Sequence, residues 1–134
     1  MNENFLIEWA CLRLIHQFAA ANDAAHWEEA VSLFTDDGLF ARPTTPDQPL
    51  IGREAILSAF RSRPPRLTRH VVSNVVVTVE DLNSARAHSL VQLYTENDDG
   101  RAKPPLIGEF HDRFELISEV WRFKERRGML VFRP

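Results

Sequence analysis

The segment Thr68-Arg69-His70-Val71-Val72-Ser73-Asn74 carries the clearest chemical signal in the chain. Read as a strand, its period-two alternation puts His70, Val72, Asn74, Val76 and Thr78 on one face and Arg69, Val71, Ser73, Val75 and Val77 on the other. A histidine and an asparagine two positions apart on a mostly apolar face are the polar pair a ligand pocket presents. Chemistry needs a carboxylate at hydrogen-bond distance from the imidazole. Such a partner fixes the tautomer and raises the basicity, so that the ring can take a proton from a carbon next to an electron-withdrawing group. Asp23, at the corner between two helical segments, is the candidate. Plainer readings stand beside these: Asp23 as the N-cap of the helix that contains Trp27, and His70 as a core histidine satisfied by backbone.

The remaining chemistry-bearing residues are less informative. His16 falls among apolar helical residues, with a face that could reach the same cavity as Asp23, and His26 belongs to an exposed first turn. In His111-Asp112-Arg113, alternation forbids His111 and Asp112 from both pointing inward without a bulge. No two histidines share an i, i+4 spacing with a third ligand, so no metal site is expected. There is no GxGxxG, no GxxxxGK[ST] and no G-x-S-x-G, which leaves dinucleotide binding, phosphate-loop chemistry and hydrolase-elbow chemistry without a basis. Cys11 sits in a helical apolar pattern and reads as a small core residue. Trp121-Arg122-Phe123 and Arg126-Arg127 read as a strand with one packed and one solvated face, an anion-binding patch being the lesser reading.

These residues must be positioned by helices first and strands afterwards. From Asn4 to Ala21, Phe5, Trp9, Leu12, Ile15, Phe18 and Ala19 recur at helical spacing. A second helix carries Trp27, Ala30, Val31 and Phe34 and breaks at Asp36-Asp37-Gly38. Gly38 to Arg42 predicts a short strand, and Pro43 to Pro49, with three prolines and two threonines, a loop. Arg53 to Arg63 predicts a third helix, stopped by Pro64-Pro65. Strands follow at Leu67 to Val79, Ala85 to Thr95, Leu106 to Ile117 and Val120 to Phe132, the second and third separated by an exposed loop from Glu96 to Pro105. This order predicts an α+β fold, with a bent antiparallel sheet wrapped around the helices and one cavity between them. The two loops are the lid candidates.

Composition sets the outer bounds. The 134 residues are 44% apolar and 26% charged, the profile of one globular domain spanning residues 1–134. A single cysteine and the lack of a leader-like start predict a cytoplasmic protein. A formal charge of -3 argues against nucleic acid, and no apolar run is long enough for a bilayer span.

Five segments together resemble the SnoaL-like branch of the nuclear transport factor 2-like superfamily. They are Phe18 to Trp27 (FAAANDAAHW), Leu33 to Gly38 (LFTDDG), Gly52 to Ile56 (GREAI), Thr68 to Asn74 (TRHVVSN) and Trp121-Arg122-Phe123. The resemblance covers nearly the whole chain. It implies a cone in which three N-terminal helices pack in a curved antiparallel sheet around an internal pocket. In scytalone dehydratase-like and hexachlorocyclohexane dehydrochlorinase-like members, an Asp four residues before the helix-two Trp pairs with the His of the Arg-His strand. Those positions here are Asp23 and His70. The resemblance thus implies a buried dyad, with His70 as general base and Asp23 as its orienter, for an elimination or proton shift without a cofactor. The carbonyl-polarising tyrosines of the dehydratases have no counterpart, since the one tyrosine is Tyr94, near a strand end.

Three functional expectations follow. The first is a cofactor-independent lyase or isomerase (dehydratase, dehydrohalogenase or cyclase class) acting on a small, largely apolar substrate, with Asn74, His16, Trp27 and Phe18 as substrate-binding candidates. The second is a noncatalytic small-molecule-binding module with the same pocket. The third is a small assembly subunit resembling the beta subunit of ring-hydroxylating dioxygenases. An apolar outer sheet face would in each case favour a homodimer or higher homo-oligomer.

Overall fold

The computed structural model describes residues 3–133; Met1, Asn2 and Pro134 of the expected domain lie outside the described residues. Helix α1 (Glu3–Asp23) is followed by α2 (Trp27–Ser32), β1 (Phe34–Ala41), β2 (Leu50–Ile51), α3 (Arg53–Arg61), β3 (Thr68–Asp81), β4 (Ser84–Thr95), β5 (Leu106–Ile117) and β6 (Val120–Leu130). The strands form one curved, unclosed sheet in the order β2-β1-β6-β5-β4-β3. All neighbours are antiparallel except β1 and β6, which run parallel, so the expected antiparallel sheet is mixed at this one seam. The strand predicted from Gly38 starts instead at Phe34, the residue expected to close α2.

The buried stripe of α1 is Ile7, Cys11, Leu14, Ile15, Phe18, Ala19, Ala21 and Asn22. It is rotated from the predicted face: Phe5 and Trp9 are half exposed, because the sheet meets the helix on the Cys11 side. Phe18 lies at the centre of the core, with the rings of Phe34, Phe40, Phe60 and Phe123 5.3 to 6.1 Å away, three of the four edge-on and that of Phe60 tilted. Such contacts add to plain area burial by about 1 kcal/mol each.

Two local features decide which side chains reach the interior. At the end of α1 the amide of Ala25 donates to the carbonyl of Asn22 and that of His26 to Ala21, with Ala25 at φ 57°. This Schellman turn, with Ala where Gly is usual, reverses the chain after Asp23. The residue before α2 is therefore His26, and no side chain caps that helix, so the N-cap reading of Asp23 is overturned. On β3, Ser73 pairs with Leu90 and Val76 with His88, three steps on one strand against two on the other. Asn74, at φ 55°, is the extra residue of this bulge. Beyond it the parity flips, and Val75, Val77 and Val79 pack inward with Val72, where strict alternation groups Asn74, Val76 and Thr78 with it.

A second bulge has the same effect on β6. Arg113 pairs with Glu125 but Phe114 with Phe123, so one extra β6 residue is accommodated, and both Phe123 and Arg126 are buried despite their odd spacing. Gly128, next on that face, leaves room for the Pro43 ring, since a Cβ there would stand 2.7 Å from Pro43 Cγ. The loop after β1 is thereby seated on the sheet. Among the described residues no helix is long and apolar enough to cross a membrane.

Candidate active site

Asp23 is the last residue of α1, and β3 starts beside it. Its Oδ2 accepts the backbone N–H of His70 at 2.9 Å, and its Oδ1 lies 2.5 Å from His70 Nδ1 and accepts the Thr68 hydroxyl at 3.0 Å. A carboxylate at a helix C-terminus opposes the helix dipole, and α1 has no basic residue in its last turn to offset it. The three bonds from β3 compensate for that placement.

With Nδ1–H donating to Asp23, the lone pair of the ring resides on Nε2. Each of the two side chains is 15% exposed. Burial holds the His70 imidazole below its ordinary range, and the positive charges of Arg63 and Arg126 push the same way, while Asp23 pulls it upward. Asp23 raises the basicity of the ring as expected, but desolvation outweighs the carboxylate. The outcome is a ring that stays neutral, and able to accept a proton, at neutral pH.

His70 lines a cavity of about 460 Å³ between α1, α3 and the sheet. Phe18, Phe40, Phe60, Val72, Val91, Leu93 and Phe110 form much of its wall, and both predicted lid loops contribute, one through Pro43 and Thr44, the other through Lys103 and Pro104. Arg126 reaches it from β6. Its Nη1 donates to Asp112 Oδ2 at 2.5 Å, both residues are buried, and the guanidinium lies 3.7 Å from the Phe110 ring centre. Burial raises the Asp112 carboxyl and lowers the Arg126 guanidinium from their ordinary values, each partly offset by the other.

Of the predicted substrate-binding residues, only Phe18 lines this cavity. Asn74 is turned outward by the bulge it occupies, and His16 is exposed on the far side of α1. Trp27 is half-buried outside the lining, stacked on Phe60 at 5.1 Å, where it supports the wall from behind. The sequence reading missed Arg63 and Arg42, and it named Asp112 and Arg126 on the late strands without bringing them to this site. The alternation rule for His111 and Asp112 was the available signal: Asp112 points in and His111 out.

Cys11 is fully buried and its thiol is pushed up to about 12, chiefly by burial, which leaves it protonated and inert. His88, Glu109 and His111 bring ligand atoms within 4.8 Å of one another, His88 facing His111 across β4 and β5 rather than along a helix. This group lies outside the cavity lining, where Glu109 is already engaged by both rings at 3.2 and 3.5 Å.

The profile of the SnoaL-like domain matches residues 4–127. The chain belongs to the SnoaL-like domain family. No curated protein matches it significantly. Among solved structures, the SnoaL-like chain is similar to a Novosphingobium aromaticivorans protein provisionally assigned as a scytalone dehydratase, with 22% identity, a TM-score of 0.84, and 97% of this chain and 87% of that chain covered. An NTF2-like protein with a cystatin-like fold from the same organism has 19% identity and a TM-score of 0.82 over 96% of this chain and 84% of that one. A third protein of that organism, provisionally assigned as an aromatic ring hydroxylase, has 19% identity and a TM-score of 0.82 over 94% and 90%. At these identities the likeness is one of fold.

Proposed function

We propose that this SnoaL-like protein is a cofactor-independent enzyme of the lyase or isomerase type, in which His70 removes a proton from a carbon of a small substrate with a largely apolar body. The observation that carries this reading is the 2.5 Å contact of Asp23 with His70 at the wall of a mostly apolar cavity. Asp23 holds the tautomer and stabilises the imidazolium once the proton has been transferred; Nε2 is the base. A positioned base of this kind contributes about 10²- to 10⁴-fold to rate. The likeness to a protein provisionally assigned as a scytalone dehydratase supports the same class of chemistry.

Two measurements test it. In an NMR titration, Asp23→Asn is expected to lower the His70 pKa further, because the group that pulls it upward is gone; identical titrations in both proteins would overturn the pairing. Nitrobenzisoxazole, an apolar ring that opens after a single proton abstraction from carbon, supplies the chemical readout. The wild type is expected to open it at least about 100-fold faster than His70→Ala. Equal rates for the two proteins sink the catalytic reading and leave a binding module.

A further inference from the structure

The charges around the cavity are one-sided. Arg42, Arg63, Arg66, Lys103 and Arg126 line it together with His70, and no Asp or Glu is among the described lining residues. This occurs in a chain with a net charge of -3. Asp23 and Asp112 stand behind the wall, committed to His70 and Arg126. Among the described residues, Arg42, Arg63, Arg66 and Lys103 have no carboxylate within 4.0 Å.

Some of these cations are held in place rather than solvated freely. The Arg63 guanidinium lies 5.6 Å from the Trp27 ring centre and 5.5 Å from that of Phe60, and its Nη1 donates to the buried Asn22 at 3.3 Å. Repulsion from Arg66 and Arg42 depresses its basicity further, after burial. The buried Nε atoms of Arg42 and Arg126 find no protein acceptor. Converging like charges with unspent N–H donors cost free energy in the empty site, and an anion that accepts those donors removes the cost.

We infer that the cavity selects a substrate that carries a carboxylate on its apolar body, the carboxylate received by Arg42, Arg63 and Arg66 and the apolar part lying on the phenylalanine wall towards His70. This rests on the proposed role of His70 for its catalytic meaning and names the substrate class of that site. Planar guanidinium forks suit a carboxylate, to which they donate in pairs. The arriving negative charge also offsets the positive field on His70. Asp23, Arg63 and Arg126 are the charged groups that set the basicity of that ring, and a bound carboxylate acts in the same direction as Asp23.

The test compares naphthalene-2-carboxylate with its uncharged carboxamide by calorimetry on the wild type. The carboxylate is expected to bind at least about tenfold more tightly, the difference between a charged and a neutral hydrogen-bonding partner. Its advantage should shrink as salt is raised. Arg63→Gln and, separately, the exposed Arg66→Gln should each weaken the carboxylate at least about threefold more than the carboxamide, because a charged acceptor loses more than a neutral one. The carboxylate alone should raise the His70 pKa by NMR. Equal affinities for the two probes, or equal losses for both in the variants, overturn the inference while leaving the proton-abstraction reading intact. Selective carboxylate binding with no ring opening of nitrobenzisoxazole overturns the latter alone.

Discussion

Asp23 grips His70 twice, through the ring at Nδ1 and through the backbone N–H, so the imidazole is oriented relative to its own main chain by one carboxylate 47 residues away in sequence. Thr68 supplies the remaining contact from the same strand. The dyad is therefore also the staple between the end of α1 and the start of β3.

Removing the carboxylate should cost stability as well as chemistry. Asp23→Ala leaves the His70 N–H and the Thr68 hydroxyl without an acceptor in a half-buried site, for an expected loss of about 1 to 3 kcal/mol in urea unfolding. Thr68→Val removes one donor and keeps the dyad; it should cost about 1 kcal/mol and leave the His70 titration nearly unchanged. A large shift of His70 in Thr68→Val would show that the hydroxyl, not the carboxylate alone, orients the ring.

The Asp112–Arg126 pair makes a sharper prediction. Arg126→Met strands a buried carboxylate and should destabilise the fold by about 3 to 5 kcal/mol. Asp112→Leu combined with Arg126→Met, which removes both charges, should recover most of that loss. Denaturant midpoints of the two proteins decide it, and a double variant no more stable than the single one would mean that the pair is not an isolated ionic unit.

The β3 bulge is tested at Asn74. Because its φ of 55° is left-handed, Asn74→Gly should be tolerated within about 0.5 kcal/mol, whereas Asn74→Val should cost about 1 to 2 kcal/mol. If valine is accepted without loss, the bulge is absent and the inward face of β3 is the one strict alternation predicts.

The pH dependence has a definite sign. The folded His70 pKa lies below the ordinary histidine value of about 6.5, so the unfolded state binds the proton more readily. The contribution of this group is fully present above about pH 6.5 and is lost as pH falls from there through the lower folded value. Subtracting the stability curve of His70→Gln from that of the wild type isolates the effect, and a difference curve that is flat between pH 4 and pH 7 contradicts it.

Sequence patterning alone determined the class of the fold, the order of its elements and the two loops at the cavity, because hydrophobic period and proline placement are local properties that survive without a partner surface. Asp23 and His70 could be named as candidate partners from residue type and position, with a capping reading of Asp23 beside it, and the resemblance added the paired role. The Schellman turn that turns Asp23 away from capping α2 is set by backbone bonds to Ala21 and Asn22, and it is centred on an alanine that gives no compositional warning. What strict alternation misplaced follows from the two one-residue bulges. A single inserted residue exchanges the faces of a strand, which removed Asn74 from the cavity, brought Val75 and Val77 inward, and put Arg126 in the wall beside Phe123. Whether Arg126 faced the cavity or solvent therefore depended on register, a relation between strands that no window along one strand contains.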